Sequence, residues 1–286
     1  MVRKLIYILV ASFFLSQPTV LSQTVAEKVI YYQKGADTLW FLHYQPLLKS
    51  NGISVLFVHG GAFTGGDPMN QEPFAKGLTK LGYNVFVIKY RLYLKGKSFG
   101  CQTPTPEKLK AIQTAVEDIS GACDFIFKNA SRYGADTSKF FIAGSSAGAE
   151  AVMNLVFNPF VQKKGSDQKR FSGVLSFAGA LLDINTLSEE NWIPVFMMHG
   201  TNDQLVPYGT AAHHFCKATD PGWLMMFGPS TIMKEAKTKK LPAILYAYEG
   251  RGHEVSNYMF RNFKEMDDFM LSVVKKEEIK PTFYAR

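Results

Sequence analysis

Short apolar runs alternate along most of this chain with longer segments in which apolar residues recur every three or four positions. The short runs are typical of buried strands, and the longer segments are typical of amphipathic helices. Strands that alternate with helices form a mainly parallel sheet with helices on both faces. The pattern therefore predicts an α/β fold whose principal strands begin near Ile53, Val85, Phe140, Val174, Pro194 and Ala243.

The same pattern predicts five further elements. Residues 29–33 and 39–44 alternate in the manner of an edge hairpin, and residues 107–129 carry an apolar stripe that predicts one helix. Residues 256–276 predict a last helix, because aromatic and methionine side chains recur there at helical spacing. Residues 210–219 also have a helix-like pattern.

Composition and charge narrow the class of protein. The chain has 286 residues, 47% of them hydrophobic, and a formal net charge of +8. Its basic residues are scattered in short runs, without the interleaved aromatic residues or recognition helices that nucleic-acid-binding proteins have. We therefore expect no nucleic-acid binding. No linker, repeat or low-complexity tract interrupts residues 23–286, which predicts a single domain. The oligomeric state is left open.

The N-terminus has the features of a secretory signal peptide. Arg3 and Lys4 precede an apolar run over residues 5–15, and small residues precede a cleavage position near Ser22-Gln23. The run is too short for a transmembrane helix, which needs about twenty apolar residues. We therefore expect residues 1–22 to be removed and the mature chain to be exported, to the periplasm or outside the cell, without stable membrane insertion.

The strongest chemical signal is Gly144-Ser-Ser-Ala-Gly148, which follows an apolar run and precedes a helix-forming segment. In a Gly-x-Ser-x-Gly turn between a strand and a helix, small flanking residues leave the central hydroxyl exposed above the sheet. Ser146 is therefore the candidate nucleophile. The five-residue pattern is weak alone, so its chemistry depends on partners elsewhere in the chain.

A base and an acid for this serine are expected beyond later strands. Asp203 and His253 each lie just past the carboxyl end of a predicted strand. The order Ser, Asp, His along the chain is the order that α/β-hydrolases use. Asp183 and Asp220 are rival acids, but Asp183 follows an earlier strand and Asp220 lies in a Thr-Asp-Pro-Gly turn.

A glycine-rich loop supplies candidate backbone donors. The first principal strand ends at His59 and is followed by Gly60, Gly61 and Ala62. Acyl transfer passes through a tetrahedral oxyanion, which backbone N–H groups stabilise. We therefore predict that the N–H groups of Gly61, Ala62 and Ala147 form an oxyanion hole, and that His59 and Gly60 support the loop.

These motifs resemble those of a serine esterase of the α/β-hydrolase superfamily, in the branch with a His-Gly-Gly oxyanion loop. The resemblance covers most of the mature chain and rests on His59-Gly-Gly-Ala62, residues 82–91, residues 130–148, His199-Gly-Thr-Asn-Asp203 and Gly252-His253. It implies the α/β-hydrolase fold and hydrolysis of carboxylic esters, including acetyl and feruloyl groups on plant polysaccharides. Ala62 and Ala149 depart from the pattern, since many relatives have glycine there.

The sequence predicts neither a cofactor nor a metal. His213 and His214 are adjacent, but partners at ligand spacing are missing, so we interpret them as helix-surface or pocket-edge residues. Three cysteines, Cys101, Cys123 and Cys216, occur in a chain expected to reach an oxidising compartment. Cys123 falls on the apolar stripe of residues 107–129 and is expected in the core, whereas any disulfide is left open.

Three hypotheses for the function follow. The favoured one is an exported esterase acting on a small-molecule or glycan-linked ester, with no large cap domain, because no insertion is long enough for one. A serine peptidase of the same fold is the alternative, and a catalytically silent binding protein is the third. Residues 219–240 form an unusual insertion that either lines the site or packs against neighbouring helices.

Substitution of the candidate acids distinguishes Asp203 from its rival Asp183. Asp203→Ala is expected to lower ester turnover by about 10³- to 10⁴-fold, because the base loses the group that orients it. Asp183→Ala is the matched control and is expected to keep turnover. Initial rates on p-nitrophenyl acetate check both variants, and the reverse outcome moves the acid to Asp183.

Overall fold

Nine strands form one sheet in the computed structural model, which describes residues 26–35, 37–161 and 170–286. The strands in chain order are β1 (Glu27–Lys34), β2 (Asp37–Tyr44), β3 (Ser54–Val58), β4 (Asn84–Ile88), β5 (Phe140–Ser145), β6 (Gly173–Phe177), β7 (Val195–Gly200), β8 (Thr210–Ala212), β9 (Met225–Phe227), β10 (Ala243–Tyr248) and β11 (Thr282–Ala285). The helices are α1 (Glu72–Thr79), α2 (Thr105–Lys128), α3 (Ala130–Tyr133), α4 (Ala147–Phe157), α5 (Pro229–Lys239) and α6 (Phe263–Val274).

The large sheet has the order β1-β2-β4-β3-β5-β6-β7-β10-β11. β2 pairs antiparallel with both β1 and β4, and the remaining neighbours in this sheet are parallel. This arrangement confirms the predicted mainly parallel α/β sheet and the predicted edge hairpin. The parallel strands present their carboxyl ends at one edge, and ligands bind at that edge in such sheets.

Alternate side chains of the central strands enter two separate cores. Leu56 and Val58 of β3 face a core built with α2, α4 and α5, whereas Val55 and Phe57 face a core built with α1 and α6. All five residues of β3 are buried, as expected for a strand covered on both faces. Each fully buried side chain of this size contributes about 1.5–3 kcal/mol relative to an exposed one.

Two predicted helices differ from the observed structure. Residues 210–219 are not a helix: β8 is followed by a short turn in which His214 and Phe215 have positive φ angles, and a left-handed pair cannot continue an α-helix. Residues 256–276 are divided into a 3₁₀ helix, His253–Phe260, and α6. The carbonyl of Tyr258 accepts hydrogen bonds from the N–H groups of both Arg261 and Asn262, which ends the first segment.

The predicted signal peptide and its cleavage position lie outside the described residues. Within the described residues no helix is both long and apolar enough to cross a membrane.

A disulfide joins Cys101, which precedes α2, to Cys216, which follows the turn at His214. Cys123 is a free, buried thiol, which confirms its predicted place in the core. The insertion at residues 219–240 contains β9 and α5, and its first part packs on the start of α2. There the Gly222 N–H donates to the Cys101 carbonyl at 2.8 Å, and the buried Lys108 ammonium donates to the Gly222 carbonyl at 2.7 Å.

Removal of this disulfide is expected to destabilise the fold. The bridge closes a loop over a sequence separation of 115 residues, so Cys101→Ala with Cys216→Ala is expected to lower the free energy of unfolding by about 2–4 kcal/mol. Urea unfolding measures the difference. Dithiothreitol is expected to destabilise the wild type and leave the double variant unchanged, whereas equal stability of oxidised and reduced wild type contradicts the prediction.

Candidate active site

Ser146 occupies a tight turn between β5 and α4. Its backbone has φ 53° and ψ −124°, a conformation that costs a non-glycine residue about 1–3 kcal/mol. The turn is held because the Ser146 N–H donates to the Phe177 carbonyl at 2.8 Å. A Cβ atom on Gly148 would lie 2.2 Å from the Val58 carbonyl oxygen, so only glycine lets α4 approach the end of β3 this closely. The side chain of Ser146 remains partly exposed.

The three residues predicted to act together form one line of contacts. Ser146 Oγ lies 2.7 Å from His253 Nε2, and His253 Nδ1 lies 2.7 Å from Asp203 Oδ2. Ser146 follows β5, His253 follows β10 and Asp203 follows β7. The order of strands in the sheet therefore brings together residues that are far apart in the chain. With Nδ1 protonated toward the carboxylate, Nε2 is left to accept the serine proton.

The carboxylate of Asp203 is fully buried and receives several donors. Its Oδ1 accepts hydrogen bonds from the N–H groups of Leu205 and Val206 at 2.9 and 3.0 Å. Its Oδ2 lies 3.2 Å from His199 Nε2 in addition to His253. Burial alone raises the pKa of this carboxyl, but the hydrogen bonds from His199 and His253 outweigh burial and hold the pKa well below its ordinary value.

Sequence reasoning did not identify the contact made by His199. The residue belongs to the His199-Gly-Thr-Asn-Asp203 motif, which carried the resemblance, but a motif does not show that its first side chain turns back toward its last. The buried imidazole also faces the Val206 carbonyl, 2.9 Å from Nε2. It therefore helps to fix the turn that carries the acid.

The rival carboxylates serve local turns. Asp183 accepts a hydrogen bond from the Asn185 N–H at 2.9 Å and caps a short 3₁₀ helix. Asp220 accepts one from the Lys217 N–H at 2.7 Å. Asp203 is thus the candidate acid that the structure places against His253.

The loop after β3 passes directly beside the serine. A Cβ atom on Gly60 would lie 2.9 Å from Ser146 Cβ, and Gly61 has a φ of 117°. A Cβ atom on Gly61 would lie 2.3 Å from the Gly65 carbonyl oxygen, so the turn requires glycine there. No backbone carbonyl of the described chain accepts from the N–H of Gly61 or Ala62. Ala147 is the first residue of α4, where N–H groups lack intrahelical partners.

His59 is buried beneath this loop. Its Nδ1 lies 2.7 Å from the Gly60 carbonyl, and its ring stacks on Tyr90 at a centroid distance of 4.6 Å. The Tyr90 hydroxyl donates to the His59 carbonyl at 3.0 Å. Burial lowers the pKa of His59, which favours a neutral ring. These contacts tie the loop to Tyr90 at His59 and Gly60, the two positions predicted to support it.

The adjacent histidines differ in burial, since His213 is buried and His214 is partly exposed. His213 is buried and not on a helix surface, and its Nε2 lies 2.8 Å from Glu150 Oε1. The His214 ring lies beside it at a centroid distance of 4.6 Å, and burial lowers its pKa to about 4. In the described chain, residues with metal-ligand spacing are Cys101, Cys216 and Asp220, and the disulfide removes both thiolates as ligands.

The fold and the chemistry of this sheet edge are those of the α/β-hydrolases, in which a hydroxyl, an imidazole and a carboxylate meet beyond the strands. The BD-FAE family matches residues 43–190, more than half of the chain. The chain belongs to this family of esterase-like α/β-hydrolases and is an ester hydrolase. No curated protein matches its sequence significantly.

Solved structures of Thermogutta terrifontis esterase 2 share the fold. The form phosphorylated by paraoxon has a TM-score of 0.63 and 20% sequence identity, and the match covers 89% of this chain and 96% of that one. The native form has a TM-score of 0.62 and 19% identity, covering 87% and 92%. The propionate-bound form has a TM-score of 0.63 and 19% identity, covering 89% and 96%.

The depressed pKa of Asp203 predicts how pH affects stability. A carboxyl group whose pKa is lower in the folded than in the unfolded chain contributes stability above the unfolded pKa, about 3.9, and loses it as pH falls toward the folded pKa. The difference in unfolding free energy between wild type and Asp203→Asn is therefore expected to shrink as pH falls from about 5 to about 2.

Urea unfolding at stepped pH values measures this difference. Asp183→Asn, which alters a partly exposed turn, is the matched control and is expected to track the wild type throughout. A wild-type advantage over Asp203→Asn that stays constant across the pH range contradicts the prediction.

Proposed function

We propose that this chain is an exported serine esterase in which Ser146 is the nucleophile, His253 the base and Asp203 the orienting acid. The observation that carries the proposal is the line of two 2.7 Å contacts joining these side chains. Geometry of this kind activates a hydroxyl that is otherwise a weak nucleophile.

Acylation begins when Ser146 Oγ forms a bond to the ester carbonyl carbon and its proton passes to His253 Nε2. The carbonyl oxygen becomes an oxyanion, which the N–H groups of Gly61, Ala62 and Ala147 stabilise. The bond from carbon to the alcohol oxygen then breaks, and His253 returns the proton to that oxygen. Asp203 stabilises the imidazolium that exists between the two transfers.

Deacylation repeats these steps with water. His253 takes a proton from water as its oxygen attacks the acyl carbon, and the same N–H groups stabilise the second oxyanion. The bond from carbon to Ser146 Oγ breaks, and Oγ recovers its proton from His253. The products are the free acid and the regenerated hydroxyl, and no cofactor or metal is required.

The substrates we propose are short-chain esters or acyl esters linked to carbohydrate, of the acetyl or feruloyl type. Thermogutta terrifontis esterase 2 has been solved with propionate and with butyrate bound, which supports a short acyl group. Leu205, Phe215 and Trp223 lie in the segments after the acid and are 41–50% exposed. Apolar and aromatic surface of this kind suits contact with a sugar ring in the alcohol part of the ester.

Export is part of the same proposal. The basic start and apolar run of residues 1–22 support it. The Cys101–Cys216 disulfide also supports it, because such bridges persist in oxidising compartments.

A p-nitrophenyl ester series with acyl chains from acetyl to palmitoyl tests the function. Mature wild-type protein is expected to favour the short esters, and Ser146→Ala is expected to lose at least about 10³-fold in kcat. Intact mass after incubation with paraoxon is expected to show one diethyl phosphoryl adduct on the wild type and none on Ser146→Ala.

Ser145→Ala is the matched control, since Ser145 adjoins the nucleophile but its buried hydroxyl donates to the Ser256 carbonyl. This variant is expected to keep both turnover and the adduct. Turnover of peptides but not of esters by wild type favours the peptidase alternative. Absence of turnover and of the adduct in wild type favours the silent binding protein.

A further inference from the structure

Glu150 and His213 form a buried contact beside the candidate active site. Glu150 lies four residues after Ser146 on α4, and His213 follows β8. The two side chains are 2% and 3% exposed, and Glu150 Oε1 lies 2.8 Å from His213 Nε2. The contact lacks hydrogen-bond geometry, and neither of these atoms has a hydrogen-bond partner among the described residues. A carboxylate buried this deeply is costly unless a nearby group compensates for its lost hydration, and His213 is the imidazole placed against it.

His213 belongs to a segment that several contacts hold in one place. Its N–H donates to the Leu224 carbonyl at 2.8 Å, and three residues later the chain is fixed by the Cys101–Cys216 disulfide. His214 and Phe215, between these two anchors, have φ angles of 56° and 51°. Strained residues of this kind persist only where the surrounding structure imposes the conformation.

A short path of hydrogen bonds leads from this segment to the candidate acid. The His214 N–H donates to the Leu205 carbonyl at 2.8 Å, and the Leu205 N–H donates to Asp203 Oδ1 at 2.9 Å. The contact between Glu150 and His213 therefore connects the helix that starts after the nucleophile to the turn that carries the acid.

The same contact is also connected to the glycine-rich loop, through the ring of Phe99. The His213 ring packs edge-on against Phe99 at a centroid distance of 5.1 Å, and Phe99 packs against Phe63 of that loop at 5.1 Å. The Leu94 N–H donates to the Phe63 carbonyl at 3.1 Å. His213 is therefore linked to the candidate acid through backbone hydrogen bonds and to the loop through packed rings.

We propose that Glu150 and His213 are positioning residues for the reaction: their contact sets the distance and orientation of Asp203 relative to Ser146. Neither residue touches the substrate or the reacting atoms in this assignment. The inference rests on the proposed function of Ser146, His253 and Asp203. Displacement of a catalytic group by about 1 Å lowers turnover by about 10²-fold, which sets the scale of the effect.

A double-mutant cycle tests the assignment. Glu150→Gln and His213→Gln are each expected to lower kcat on p-nitrophenyl acetate by at least about tenfold, with KM changed by less than about threefold. The double variant is expected to have a kcat no lower than that of the more impaired single variant, because all three variants break the same contact. Losses in kcat that multiply in the double variant overturn the proposal.

A buried imidazole far from the site provides the matched control. His43 Nε2 lies 2.6 Å from Asn84 Oδ1, a side-chain contact between the neighbouring strands β2 and β4. His43→Gln is expected to lower the Tm while kcat per folded molecule stays at the wild-type value. If Glu150→Gln and His213→Gln behave in the same way, the contact is structural only and the proposal is wrong.

Reduction of the Cys101–Cys216 disulfide in the wild type is a second test, which needs no variant to fold. Dithiothreitol is expected to lower kcat more than it changes KM, because it frees the segment that presents His213. Unchanged kcat in fully reduced, folded protein contradicts the proposal. If the wild type shows neither ester turnover nor a paraoxon adduct, the proposed function itself is wrong. Failure of the positioning role and failure of the proposed function are therefore distinguishable.

Discussion

The strained turn at Ser146 is the constraint on which the rest of this site depends. A serine with φ of 53° is stable there only because β3, β5 and β6 surround it. The Phe177 carbonyl of β6 accepts its N–H, and the end of β3 lies against Gly148. The register of three parallel strands therefore determines where the hydroxyl points, and the hydrophobic cores on both faces supply the free energy that maintains the strain.

The candidate acid and base are positioned relative to that turn by the loops that follow β7 and β10. β7 and β10 are neighbours, so the loops that follow them meet although they are far apart in the chain. The Asn202 N–H donates to the Arg251 carbonyl at 2.9 Å, which ties the loops together one residue before Asp203 and two before His253. The division of the last helical region also has a role, since His253 begins a separate 3₁₀ helix.

The sequence predicted the features that depend on residues close together in the chain. Apolar runs identified the principal strands, the Gly-x-Ser-x-Gly turn identified Ser146, and positions after strands identified Asp203 and His253. It did not predict β11, a short edge strand in which three of four residues are exposed, so no clear apolar pattern marks it. The helix predicted over residues 210–219 was wrong: His214, with a left-handed φ, lies between the pairing of β8 with β9 and the Cys101–Cys216 disulfide, and local propensity contains neither contact.

The sequence by itself determined the class of fold, the family resemblance and the candidate reactive side chains, because each depends on periodicity or on a motif of a few neighbouring residues. Only the tertiary structure decided which of three aspartates contacts His253, that Cys101 pairs with Cys216, and that Glu150, His199 and His213 are buried around the site. These contacts join residues up to 115 positions apart. They depend on how strands and loops meet in space, and a linear pattern does not contain that geometry.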